Sequence, residues 1–134
     1  MNTLKAQRIF LVLRVLLAVF IAAHGWARFT ADAIAPFGVW LASQQVPFGL
    51  YIAYAITLAE ILGTPLLALG RFVPFICMVY SAIYAVGIAL VHAPEGWFVV
   101  GLGRNGMEYS VLLIATLLAV GYWHVDKPDA STST

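Results

Sequence analysis

Glu60 stands inside an apolar run, Phe48 to Leu69, that is long enough to cross a bilayer, and Arg14 interrupts an earlier run of the same kind. An ionised side chain at the centre of a membrane helix costs roughly 2.5–3.5 kcal/mol on insertion scales, so such residues pair, line a path or hold a ligand. At 1.5 Å per residue, Arg14 lies about 12 Å into its segment counted from Ala6, and Glu60 about 13 Å from the end of its own near Leu69. Similar depth predicts an Arg14–Glu60 ion pair across the first two membrane helices. The competing expectation is that Arg14 snorkels to the headgroups and Glu60 is protonated. The pair could manage protons or a polar headgroup, which makes Glu60 and Arg14 the candidate catalytic residues; it could equally fix helix register. Pro65 lacks an N–H and frees the carbonyl of Ile61 beside the acid, so a polar notch or a simple packing kink is expected there.

A second polar group gathers at the other end of these segments. His24 and Arg28 are four residues apart, hence on one helix face. His92 closes the third apolar segment, and Arg104 and Glu108 flank the start of the fourth. Asn105 followed by Glu108 resembles a capping box, which gives Glu108 a structural alternative to a contact with Arg28 or His24. Tyr80 and Tyr84 share a face of the third segment, where an aromatic stripe either packs or turns its hydroxyls toward Glu60. His24, Arg28, Glu108, Tyr80 and Tyr84 are therefore the candidate ligand-binding residues.

The spacing of these histidines and acids matches no zinc signature, so no metal is expected. Neither His24 nor His92 lies deep enough to ligate haem. Gly101, Gly103 and Gly106 mimic a nucleotide loop but follow no strand. Cys77 is the only cysteine, which excludes an internal disulfide or a CxxC pair.

These residues must be positioned by membrane helices. Of the 134 residues, 63% are hydrophobic and 10% charged, against roughly 45–50% and about 25% in a soluble domain. That surplus requires lipid as solvent, and a net charge of +1 offers no nucleic-acid footprint. The patterning predicts an all-α, four-helix transmembrane bundle over residues 1–125, with helices near 6–29, 48–69, 72–91 and 106–124. A polar tail over 126–134 is expected to be disordered and cytoplasmic.

Lys5, Arg8, Arg71 and Lys127 on one side outnumber Arg28 and Arg104 on the other, which predicts cytoplasmic termini. Although Lys5, Arg8 and the following apolar stretch mimic a signal peptide, Arg14 breaks it, and a retained first helix is expected. Gly70 and Pro74 suit a tight turn between the second and third helices. Phe37, Trp40 and Leu41, at helical spacing in the long first outer loop, predict a short helix in the membrane interface. No repeat relates the two halves.

An arginine in the first helix, His24-Gly25-Trp26-Ala27-Arg28-Phe29 at its end, and Leu58-Ala59-Glu60-Ile61-Leu62-Gly63 with Gly70-Arg71 beyond resemble the DoxX family of small four-helix membrane proteins. The glycine-rich approach to Met107-Glu108-Tyr109 resembles that family's closing motif, and Arg28 stands where lysine is common. The resemblance runs from Arg8 to Asp126. It implies a multi-pass protein of the bacterial inner membrane, linked to quinone or thiol redox systems, with a protein partner or a second copy of itself. From that resemblance and the buried charges, a membrane subunit of a quinone-linked redox system is expected, with quinone as its cofactor and no nucleic-acid partner. The alternative is a non-catalytic scaffold or assembly factor whose ion pair is architectural; a small transporter fits less well, since four helices without repeats make poor alternating access.

Overall fold

The chain forms α1 (Thr3–Thr30), α2 (Ile34–Ser43), α3 (Gly49–Leu69), α4 (Val73–Gly87), a π-helical turn (Ile88–His92) that continues α4, and α5 (Glu108–Trp123). The computed structural model describes residues 3–125, and these contain no strand. The expected tail over 126–134 lies outside the described residues. Three helices are long and apolar enough to cross a membrane: α1 with 28 residues, α3 with 21, and α4 with its π turn, 20. The fourth expected span is present as a helix, but α5 has only 16 residues. That is about 24 Å at 1.5 Å per residue, short of the ~30 Å hydrocarbon core.

The apolar surplus is distributed as lipid demands. Leu17, Ile21, Leu67, Ile76, Leu117 and Val120 form the buried core, while Val12, Val19, Leu62, Phe75, Met78 and Leu112 stay exposed. An outer surface this apolar marks a membrane or interaction face. Packing divides the helices into two sets. α1 and α2 lie against α3, and α4 lies against α5; α3 and α4 touch far less, although they are consecutive.

The α3–α4 connection is the tight turn that Gly70 and Pro74 predicted. Gly70 adopts φ +78°, a left-handed conformation open to glycine at little cost. Its N–H donates to Leu67 O at 3.1 Å and that of Arg71 to Leu66 O at 2.9 Å, so orphan carbonyls at the helix end are satisfied. Pro74 sits in the first turn of α4, where no N–H is needed.

The helix expected in the first outer loop exists as α2. It lies across the start of α3 and brings the rings of Phe37 and Trp40 into a stack, centroids 6.0 Å apart.

Candidate functional site

Glu60 is 2% exposed, in the middle of α3. Thr57 and Thr64, three residues before it and four after, lie on its helix face and are also buried. Both threonines turn their hydroxyls back on the helix: Thr57 Oγ1 donates to Ala53 O at 2.8 Å and Thr64 Oγ1 to Glu60 O at 2.7 Å. The carbonyl that Pro65 frees, that of Ile61, lies 3.5 Å from the Thr64 hydroxyl. The Thr64 hydroxyl, donating to Glu60 O, thus lies beside the freed carbonyl.

The partner of Glu60 is Arg28, not Arg14. Arg28 Nη1 donates to Glu60 Oε2 at 2.8 Å and to Thr57 Oγ1 at 3.0 Å. The guanidinium also lies over the Phe37 ring, 4.7 Å from its centroid, so α2 holds the cation as well as α3. Register explains the correction. A Cβ on Gly25 would come within 2.9 Å of Glu60 Cβ, and one on Gly70 within 2.6 Å of Arg14 Nη1. Gly25 is thus level with Glu60, and Arg14 is level with the α3–α4 turn, about 15 Å further along at 1.5 Å per residue. Counting depth from Ala6 placed Arg14 too deep because α1 runs well past the end of α3. Arg28, one turn from Gly25, reaches the acid directly.

Arg14 has a different environment. Its Nη1 lies 3.0 Å from His124 Nε2, while His124 Nδ1 lies 2.8 Å from Val120 O. A carbonyl only accepts, so Nδ1 carries the imidazole proton and Nε2 accepts from the guanidinium. Among the described residues, the buried Nε of Arg14 has no hydrogen-bond partner. Arg14 thus ties α1 to the end of α5 and covers the Gly70 turn.

Above Glu60 lies a cavity of about 330 Å³, lined by residues of α1, α2, α3, α4, the π turn and α5. Its polar floor is Glu60 and Arg28, joined by Tyr84, whose hydroxyl lies 3.3 Å from Glu60 Oε1. His24 borders it edge-on to the Tyr84 ring, with centroids 6.4 Å apart. Much of the remaining wall is apolar, including Trp40, Leu41, Ile56, Ile83 and Leu90. A few convergent polar groups in a mostly apolar hollow is how small-molecule sites are built.

Residues 93–107 border the same cavity through Val99, Asn105 and Gly106. His92 Nδ1 donates to Asn105 O at 2.8 Å, and Val99 N donates to Glu108 Oε1 at 3.3 Å. Glu108 therefore fastens this segment, makes no contact with Arg28 or His24, and is not a cavity residue. The capping box is absent too: Met107, not Asn105, precedes α5, and no side chain caps it. Arg104 is exposed.

Of the expected ligand-binding residues, the structure brings His24, Arg28 and Tyr84 together around Glu60. It separates Tyr80, whose hydroxyl donates to Ala59 O at 2.7 Å and borders a different groove. Three contributors went unnoticed in the sequence. Thr57 was legible from its spacing to Glu60, and Phe37 from its place in α2. His124 carried no signal, because its role depends on where α5 ends. Among the described residues, no three of His, Cys, Asp and Glu come together as a metal site.

The DoxX family model matches residues 9–93, and the chain belongs to the DoxX family. The match takes in Arg14, Arg28, Glu60 and Tyr84 and stops before Glu108. None of the curated proteins matches the chain, and none of the solved structures does.

Proposed function

We propose that this DoxX-family membrane protein is the quinone-binding subunit of a redox system in the bacterial inner membrane, with both termini cytoplasmic and the cavity toward the outer face. A buried acid, held by Arg28 on one carboxylate oxygen and reached by Tyr84 on the other, at the floor of an otherwise apolar cavity, carries this reading. A quinol presents hydroxyls to such a floor and an apolar ring to such walls.

Arg28 occupies one oxygen of the Glu60 carboxylate, and in this reading the carboxylate accepts a quinol hydroxyl and its proton. Oxidation of a quinol to a quinone releases two electrons and two protons. In this reading Glu60 takes the first proton and His24 the second, and the electrons pass to a partner redox protein. The protein's own contribution is to bind the head, exclude water and move protons.

Glu60→Gln keeps the size of the side chain and removes its basicity. Quinol oxidation by the variant in native membranes is expected to fall about tenfold or more, as for loss of a general base, with less quinone copurifying. An unchanged rate and unchanged quinone content would refute the reading.

A second reading, a scaffold with an architectural ion pair, draws on the exposed Val100 and Leu102, 74% and 90% accessible, in the 93–107 segment. Crosslinking that captures a partner regardless of Glu60→Gln, but not after Leu102→Asp, would favour it.

A further inference from the structure

A second hollow, about 300 Å³, lies between α3 and α4, walled by Ala59, Gly63, Leu66, Phe75, Ile76 and Val79 among others. Its one polar liner is Tyr80, whose hydroxyl is already bonded to Ala59 O at 2.7 Å. The groove exists because α4 packs on α5 while α3 packs on α1, which leaves the α3–α4 seam sparsely filled. Phe75, at its edge, is 71% exposed, so the groove opens toward lipid.

The two hollows follow one another along the same seam. Tyr84 borders the first beside Glu60, and Tyr80 borders the second beside Ala59 and Gly63. Four residues of helix put these tyrosines about 6 Å apart along α4. Tyr80 is 1% exposed and bridges the seam between them. It fits only because position 63 has no side chain: a Cβ on Gly63 would overlap the Tyr80 hydroxyl.

We propose that the α3–α4 seam is a lateral port that receives the hydrocarbon tail of a lipid-soluble ligand whose head lies at Glu60, with Tyr80 as the partition between head and tail chambers. The proposal rests on the reading of the upper cavity as a headgroup site. The occupant of the lower groove is the tail of that same molecule, because the groove lies one helical turn from the cavity along the same seam, with Tyr80 at the boundary, and offers no unsatisfied polar group. Passage requires Tyr80 to release Ala59 O, and a single rotameric swing does this, since Ala59 O remains the helical acceptor for the Gly63 N–H.

The full chain, reconstituted in phospholipid vesicles, is labelled with a benzoquinone whose decyl tail ends in a photoactivatable diazirine. Label is expected on Phe75, Ile76 and Val79 and is expected to vanish under excess unlabelled decyl-benzoquinone. Label on Trp40 or Val99 would point the tail out through the α2 end and overturn the port. Label on the groove that resists competition would make it an ordinary lipid furrow, which also overturns it.

Val79→Trp fills the groove from its lipid side without entering the core. It is expected to weaken binding of decyl-benzoquinone about tenfold, consistent with the burial of one or two methylenes, while the same quinone without a tail binds as to wild type. Equal affinity of wild type and Val79→Trp for the tailed compound would overturn the port and leave the head site standing. Failure of wild type to bind the tailless head would remove both.

Discussion

Arg14 and Arg28 lie on the same helix, about 21 Å apart at 1.5 Å per residue, and the structure places them in opposite situations. Arg28 reaches a carboxylate, a threonine and an aromatic face at the floor of a cavity. Arg14 closes a corner: it covers the Gly70 turn and meets the His124 imidazole, and one of its nitrogens is buried with no partner among the described residues. One guanidinium is held beside open space, and the other fills space. A charge within a membrane helix is therefore not by itself a site; among the described residues, Arg28 has both a counter-charge and room for a ligand.

The contrast can be broken by unequal damage. Arg28→Met strands Glu60 in a buried position, and losing one member of a buried pair costs roughly 3–5 kcal/mol. Unfolding followed in mixed detergent micelles should show that loss, and under the proposed function it should be accompanied by depleted copurifying quinone. His124→Phe removes the acceptor for Arg14 and should cost about 1–3 kcal/mol, the penalty of an unsatisfied buried donor. Its quinone content should match wild type. If the two variants lose quinone equally, the two ends of α1 are not functionally distinct.

The smallest effect belongs to Tyr84→Phe. A bond of 3.3 Å to the second carboxylate oxygen should contribute about 0.5–1.5 kcal/mol or less to stability. A larger effect on quinol affinity than on unfolding would sharpen the assignment of Tyr84 to the ligand rather than to the bundle.

Much of the fold was legible because membrane helices announce themselves by run length. The limits expected for the first three segments differ from α1, α3 and α4 with its π turn by no more than three residues at either end. α2 was foreseen from Phe37, Trp40 and Leu41 at helical spacing. Glu60 was legible as the central residue for the same reason, a charge where lipid forbids one. Its partner was not, because run length fixes where a helix lies in the sequence and not how far it slides past its neighbour. Gly25 settles that slide by admitting α3 at close range. Tyr80 and Tyr84 looked equivalent by spacing, yet one turn of helix puts them in different chambers. Glu108 looked like a ligand-binding residue, with a cap as the alternative, because the 93–107 segment, which it fastens, has no periodicity to reveal where it lies.

The π turn at Ile88–His92 has a consequence for inheritance. Such a turn holds one residue more than the α-helix it interrupts. Deleting one residue between Ala89 and Val91 would let the segment run on as plain α-helix, still apolar and still long. Because the wide turn absorbs that residue, His92 would keep its direction toward Asn105, and the cover over the cavity would stay fastened. A deletion in α4 ahead of the turn has no such slack and would swing His92 through about 100°, so the fastening of residues 93–107 depends on where along the helix a residue is lost. Among related sequences, a one-residue gap in this short stretch would mark proteins with a plain α-helix and the same roof, while a gap earlier in α4 would mark proteins whose cavity is roofed differently.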